Sequence, residues 1–234
     1  MKYKCIVTCS WDDGHKLDLK LANLLLRYRL RGTFFIPIRC LGNSLSKEDI
    51  IFLSKYFEIG AHSLTHPYLT RLPLNDADRE IMESKRVLED IMERRVYGFS
   101  YPYGDFNNKI VKCVIRSGYT YARTNKPSKR ITDPYRMGVT AILRRYVGIR
   151  EFLVSMIRVR RFKSLVGATF DDVYSNGGVW HMLGHSWQIE KLGMWDDLEE
   201  ILSYISNRKD VLYATNHEVI QVLTSNSFPS KSVS

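Results

Sequence analysis

Cysteine is scarce in this chain of 234 residues: Cys5, Cys9, Cys40 and Cys113 are scattered, and no two stand at CxxC spacing. That excludes a dense disulfide framework and fits thiols that stay reduced in a cytosolic protein. Long apolar runs are also missing, since nothing approaches the roughly 20 residues that a membrane helix requires. The opening MKYKCIVTCSWDDG passes straight into a strand and a charged turn, without the apolar stretch of an export signal. A cytoplasmic protein with no transmembrane segment is the expectation. Acidic residues are in deficit, 25 Asp and Glu against 35 Lys and Arg, leaving a formal charge of +10. The surplus favours anionic neighbours such as phosphorylated sugars, anionic glycans or an acidic membrane face. Much of it lies between residues 144 and 165, where Arg144, Arg145, Arg150, Arg158, Arg160, Arg161 and Lys163 recur among apolar positions. Both a solvated helical face and a peripheral contact with phosphate or lipid headgroups are open there. No nucleic-acid-binding motif accompanies the charge, and no nucleic acid is expected as a partner.

What is present is ordinary for a globular enzyme, with 44% hydrophobic and 26% charged residues. KCIVTCSW reads as a buried first strand ended by DDGH. LDLKLANLLLRYRL carries Leu17, Leu21, Leu24, Leu25 and Tyr28 at helical spacing, and TFFIPI follows as a second strand. SKEDIIFLSKY then reads as a helix and FEIGA as a strand. The strongest helix is NDADREIMESKRVLEDIMERR, with Asn75 as the expected N-cap and Ile81, Val87, Leu88, Ile91 and Met92 as its apolar stripe. YGFSYP, YTYAR, a weaker MGVTAIL, GGVWHML and VLYAT supply further strands, with a polar loop over 125–136 and helices at NKIVKCVIRSG, the basic segment and WDDLEEILSYISN. This alternation predicts an α/β domain built on mostly parallel strands. A single domain over 1–224 is expected, with a polar tail at 225–234.

Groups placed just beyond the carboxyl ends of parallel strands can converge although they are far apart in sequence. Asp12 and Asp13 follow the first strand, His62 and His66 the FEIGA strand, Tyr103 and Asp105 the YGFSYP strand, and His185 the GGVWHML strand. On a helical turn, positions 62 and 66 would share one face. Two neutral imidazoles so placed can ligate Zn²⁺ or another late first-row ion, a carboxylate supplying a third donor. Of the adjacent aspartates, one can bind metal while its neighbour accepts a proton from attacking water. His181 and His185 would stand about 13 Å apart along a strand, too far to share one ion. His185 is therefore the better catalytic candidate and His181 a packed polar residue. Trp11, Tyr101, Tyr103, Trp180 and Trp187 lie near strand ends, where they could stack on sugar faces or pack the core.

In order along the chain, TCSWDDG, HSLTH, YPYGDFN and MLGHS resemble the motif segments of the polysaccharide deacetylase superfamily, the NodB homology domain of family 4 carbohydrate esterases. The resemblance runs from about residue 5 to residue 217. It implies a distorted, incomplete (β/α) barrel, usually of seven strands. It also implies Asp13, His62 and His66 as metal ligands, Asp12 as general base and His185 as general acid. Tyr103 matches the segment whose backbone stabilises the oxyanion, and Leu183 the residue lining the acyl-methyl pocket; Trp11, Tyr101 and Trp187 are the expected sugar-facing aromatics. One departure stands out. Where many members have arginine in an RPPYG-like run, this chain has Ser100, so that another cation tunes the base, the subgroup differs, or activity is reduced. Asp133 receives no catalytic role.

The resemblance implies a metal-dependent hydrolase that removes an N-acyl group, N-acetyl first, from a carbohydrate or a phosphate-bearing or lipid-linked sugar precursor. Zn²⁺ is the expected cofactor, with Co²⁺, Ni²⁺ and Mn²⁺ as alternatives. The competing readings are an amidase for a small non-carbohydrate amide or cyclic imide, and a catalytically weak glycan-binding protein.

Overall fold

The computed structural model describes residues 3–39, 42–143 and 155–225, with backbone alone over 155–165. The side chains of the expected basic surface over 144–165, the thiol of Cys40 and the polar tail beyond Ser225 lie outside the described residues.

The first strand, β1 (Cys5–Asp12), is buried along its whole length. Successive side chains of a strand point to opposite faces. Cys5, Val7, Cys9 and Trp11 join the large apolar cluster that includes the helices. Ile6 joins a second cluster with Phe35, Tyr121, Met137 and Val179. Thr8, Ser10 and Asp12 share the face of Ile6 and contact Asn216, His181 and Arg123. Burial on both faces is what a parallel strand covered by helices requires.

The βα alternation then repeats. Helix α1 (Asp18–Arg27) buries Leu21, Ala22, Leu24 and Leu25 and leads to β2 (Thr33–Ile36). Helix α2 (Lys47–Ser54), begun by a Ser46–Asp49 capping box, leads to β3 (Glu58–Ala61). Helix α3 (Leu74–Met92) precedes β4 (Gly98–Ser100), and α4 (Asn108–Arg116) precedes β5 (Tyr121–Pro127). Strands β6 (Met137–Val139) and β7 (Ala141–Ile142) follow. The last third runs α5 (Ser155–Asn176), β8 (Val179–Gly184), α6 (Ser186–Lys191), α7 (Trp195–Ile205), β9 (Val211–Tyr213) and α8 (Asn216–Thr224). Among the described residues, no helix is long and apolar enough to cross a membrane.

The strand pairings are parallel, in the order β6-β5-β4-β3-β2-β1-β8-β7, with β9 on the first residues of β1. The two ends of this path are chain neighbours, separated only by Thr140. Its N–H donates to the His181 carbonyl at 2.8 Å and its hydroxyl to the Val179 carbonyl at 3.0 Å. The sheet thus curls into a distorted barrel whose one unsealed seam is crossed by the chain itself. With β6 and β7 taken as one run, the wall has seven positions. Inside it, Gly98 leaves room for Tyr121, whose ring would lie 2.2 Å from an added Cβ.

Local details depart from the sequence expectations. Asn75 does not cap α3: Pro73 holds the N-cap position and Asn75 lies within the first turn, because a proline there presets the extended entry. The polar segment expected as a loop from residue 125 begins as strand, since β5 runs on to Pro127 and pairs with Val139. Helices α6 and α8 are additional to the helices expected from apolar spacing.

Candidate metal centre and catalytic groups

At the carboxyl end of β1, Asp12 keeps the inward direction of the strand and is 4% exposed. Asp13 and Gly14 follow with φ of 78° and 58°. Two successive left-handed residues reverse the chain direction, so the adjacent carboxylates take separate positions. His62 leaves β3 with its ring 2% exposed. His66 does not reach it through a helical turn. The segment between them is a loop with positive φ at Ser63 (65°) and His66 (60°). The expected helical spacing gives way because side-chain bonds hold this loop: Ser63 Oγ accepts the His66 N–H at 2.9 Å, and Glu80 of α3 accepts from Leu64 N, Thr65 N and Thr65 Oγ1 at 2.7–2.9 Å.

These turns bring Asp13, His62 and His66 together, with one ligand atom from each lying within 4.8 Å of the others. The two Nε2 atoms are 3.1 Å apart, and Asp13 Oδ1 is 3.7 Å from His62 Nε2 and 3.5 Å from His66 Nε2. His62 Nδ1–H donates to the Ser100 carbonyl at 2.8 Å, which leaves the Nε2 lone pair facing the cluster. The other Asp13 oxygen accepts from Trp187 Nε1 at 2.9 Å and lies 3.8 Å from His185 Nε2. Burial, together with His66 and Arg123, pushes the His62 pKa down to about 4 against the pull of Asp12 and Asp13, so the ring is neutral at pH 7. Two neutral imidazoles and a carboxylate, each oriented by a further hydrogen bond or by its loop, fit a divalent cation.

Ser100 gives Asp12 no cation from its own strand, and the neighbouring strand supplies one. The register pairs Ser100 of β4 with Arg123 of β5, and Arg123 is 1% exposed. Its Nη2 donates to both Asp12 oxygens and to Ser100 Oγ, the last at 2.6 Å. Burial favours the neutral acid form of Asp12, but the charges of Arg123, His62 and His185 outweigh it and hold the carboxyl below the usual carboxylate range. Nearby, burial and the charges of Asp13 and Asp12 raise Asp18 well above that range.

Tyr103 sits in the 3-10 turn Pro102–Gly104 with φ of 58° and is 49% exposed. Its ring meets His66 edge-on at 4.6 Å and stacks on Tyr68 at 4.0 Å. Asp105 clamps the loop below by accepting from Thr70 N and Oγ1 at 2.8 Å. Leu183 is buried on β8 beside Ser10. Trp187 is half-buried, its ring 5.7 Å from that of His185. Trp11 and Tyr101 depart from the expected sugar-facing role. They are 0% and 1% exposed, one strand position off Asp12 and Ser100, and therefore point into the helix layer. His181 is a packed interior residue, bonded to Ser10 Oγ at 2.8 Å and the Gly138 carbonyl at 3.0 Å. Asp133 caps the 3-10 turn at Tyr135 and pairs with Arg136.

A family model described as polysaccharide deacetylase matches residues 2–122. YxkH of Bacillus subtilis, provisionally named a polysaccharide deacetylase, is 24% identical over 134 residues, covering 56% of this chain and 48% of its own length. The peptidoglycan-N-acetylmuramic acid deacetylase PdaC of the same organism is 29% identical over 110 residues, 45% of this chain and 23% of its own. The chain thus spans about half or less of these curated relatives. The crystal structure of a Mycobacterium smegmatis protein, also provisionally named a polysaccharide deacetylase, matches with a TM-score of 0.77 over 100% of this chain and 95% of that one, at 16% identity. At that identity the likeness speaks for the fold.

Proposed function

We propose that this chain, which belongs to the polysaccharide deacetylase family, is a metal-dependent hydrolase removing an N-acyl group, N-acetyl in the first instance, from a carbohydrate or a sugar-containing precursor. The observation that carries the reading is the meeting of Asp13, His62 and His66 with Asp12 and His185 at one end of the barrel. The deacetylase activity in the name of PdaC supports a sugar amide as the substrate class.

Asp13, His62 and His66 would hold the cation, for which zinc is the first choice on their N, N, O donor set. When bound, such an ion supplies Lewis acidity that polarises the acyl carbonyl and makes water a nucleophile near neutral pH. Asp12, kept anionic by Arg123, takes the proton of the attacking water. The Tyr103 backbone N–H donates to the acyl oxygen as negative charge develops on it. His185 delivers a proton to the departing amine, which an amide nitrogen needs in order to leave. Leu183 borders the acyl methyl. The half-exposed Tyr103 and Tyr68 rings, rather than Trp11 and Tyr101, offer the sugar its stacking surface, with Trp187 on the opposite side near His185. A single catalytic domain over 1–224 goes with this reading.

Amine release from N-acetyl and N-formyl amino sugars, with and without phosphate, tests it. Turnover should vanish with a chelator and return with zinc. Asp12→Asn should lower the rate by about 100-fold or more with metal content unchanged. A near-native rate in metal-loaded Asp12→Asn would remove Asp12 as the base, and turnover confined to non-sugar amides would remove the carbohydrate.

A further inference from the structure

Burying a guanidinium is costly unless its charge is matched. Arg123 is 1% exposed inside the barrel, and Asp12 is its one ion-pair partner among the described residues. It reaches across the barrel from β5 to β1, which are not neighbours in the sheet. It stands at the end where the ligands gather, against the Phe35 ring at 5.3 Å, with Ser100 Oγ beside it. Its Nη2 touches both oxygens of Asp12.

Asp12 needs such restraint. Its Oδ2 lies 3.8 Å from His62 Nε2, hardly farther than the 3.7 Å and 3.5 Å that separate Asp13 from the two imidazoles. A free carboxylate that close to a ligating imidazole nitrogen could swing onto a divalent cation held there and join the donor set. It would then be a fourth protein ligand and could no longer receive a proton.

We propose that Arg123 is a positioning residue that keeps Asp12 out of the ligand set. Because Ser100 and Arg123 are register partners on adjacent strands whose side chains meet, the same restraint can be supplied from position 100. This role rests on the reading of Asp12 as base, but its first readout is independent of turnover.

The test uses one equivalent of Co²⁺ bound to the full-length protein, read by visible absorption and by competition with a chelator. In Arg123→Ser, released Asp12 adds a ligand. The visible band should weaken, as expected for a higher coordination number, and cobalt affinity should rise about tenfold. Adding Asp12→Ala to that variant should restore the wild-type spectrum. Ser100→Arg together with Arg123→Ser should restore it too, and with it the turnover that Arg123→Ser lowers about 100-fold, chiefly in kcat. Should Arg123→Ser fail to fold, Arg123→Gln, which keeps bulk and one donor, is read in the same way. An unchanged spectrum and affinity in a folded Arg123 variant overturn the proposal, as does a change that persists without Asp12. If the cobalt signature behaves as stated while no sugar amide is hydrolysed by the wild type, the substrate reading fails and the role of Arg123 stands.

Discussion

His181 illustrates how a position three residues short of a strand end differs from His185 just beyond it. Its ring is sealed between Ser10 and Gly138, and burial, aided by the charge of Arg123, lowers its pKa to about 3 against the Gly138 carbonyl and Asp12. The native ring is neutral, whereas in the unfolded chain it titrates near 6.5. The unfolded state therefore takes up an extra proton as pH falls. Stability is intact above about pH 6.5 and is lost progressively toward pH 3. Urea denaturation of the metal-free protein between pH 5.5 and 4.5 should show this. His181→Gln should reduce the slope of unfolding free energy by about one proton, roughly 1.4 kcal/mol per pH unit. An unchanged slope would mean that His181 is already charged in the native state.

At this scale the sequence was informative where strand ends carried Asp12, Asp13, His62, His66 and His185. Period-two alternation could also have excluded Trp11 and Tyr101, each adjacent to an inward-facing position. Arg123 could not be read as a site residue. It appears in a plain strand, YTYAR, and meets Asp12 across 111 positions of chain, a pairing fixed only by barrel register.

At the scale of elements, the two imidazoles are held differently. His62 is tied to the end of β3 and to the Ser100 carbonyl, whereas His66 depends on a loop with two left-handed residues and no glycine. Glu80, one and a half turns into α3, holds that loop through three hydrogen bonds. Glu80→Ala should leave helix content unchanged and weaken zinc affinity by roughly 10-fold to 100-fold, measured by competition with a chromophoric chelator. Native affinity in a folded Glu80→Ala protein would show that the loop holds its shape unaided. The helices themselves were legible from apolar spacing. Their caps and short companions were less so, because α6 has only six residues and α8 begins from a Thr215–Glu218 capping box hidden behind the short strand β9. The left-handed turn at 63–66 gave no signal, since its cause, a glutamate on a later helix, is a tertiary contact.

For the whole molecule, the chemistry and the fastening of the barrel lie at opposite ends. Glu58 starts the strand that His62 follows, about 13 Å away along it. It accepts from Thr33 Oγ1, Tyr121 Oη and His217 N at 2.8–2.9 Å, tying β2, β3, β5 and α8 together. Burial, the dominant influence, raises its pKa against those three donors and Thr215. Glu58→Ala leaves the donors unmatched and should cost about 3 kcal/mol by denaturant unfolding. Zinc affinity of the folded fraction should stay native. A matching loss of affinity would mean that the two ends are coupled. The alternation of strand and helix predicted this architecture. The closure at Thr140 was not legible, because MGVTAIL reads as one weak strand and only the fold reveals that its halves serve different neighbours.

The central place of β1 bears on how the molecule is made. It is made before the strands it pairs with, yet along one edge its hydrogen-bonding groups wait for Val179–Gly184. Until residues 179–184 have been synthesised, an apolar ribbon remains open to foreign strands, so products arrested or truncated before them are the forms of this protein most prone to clump.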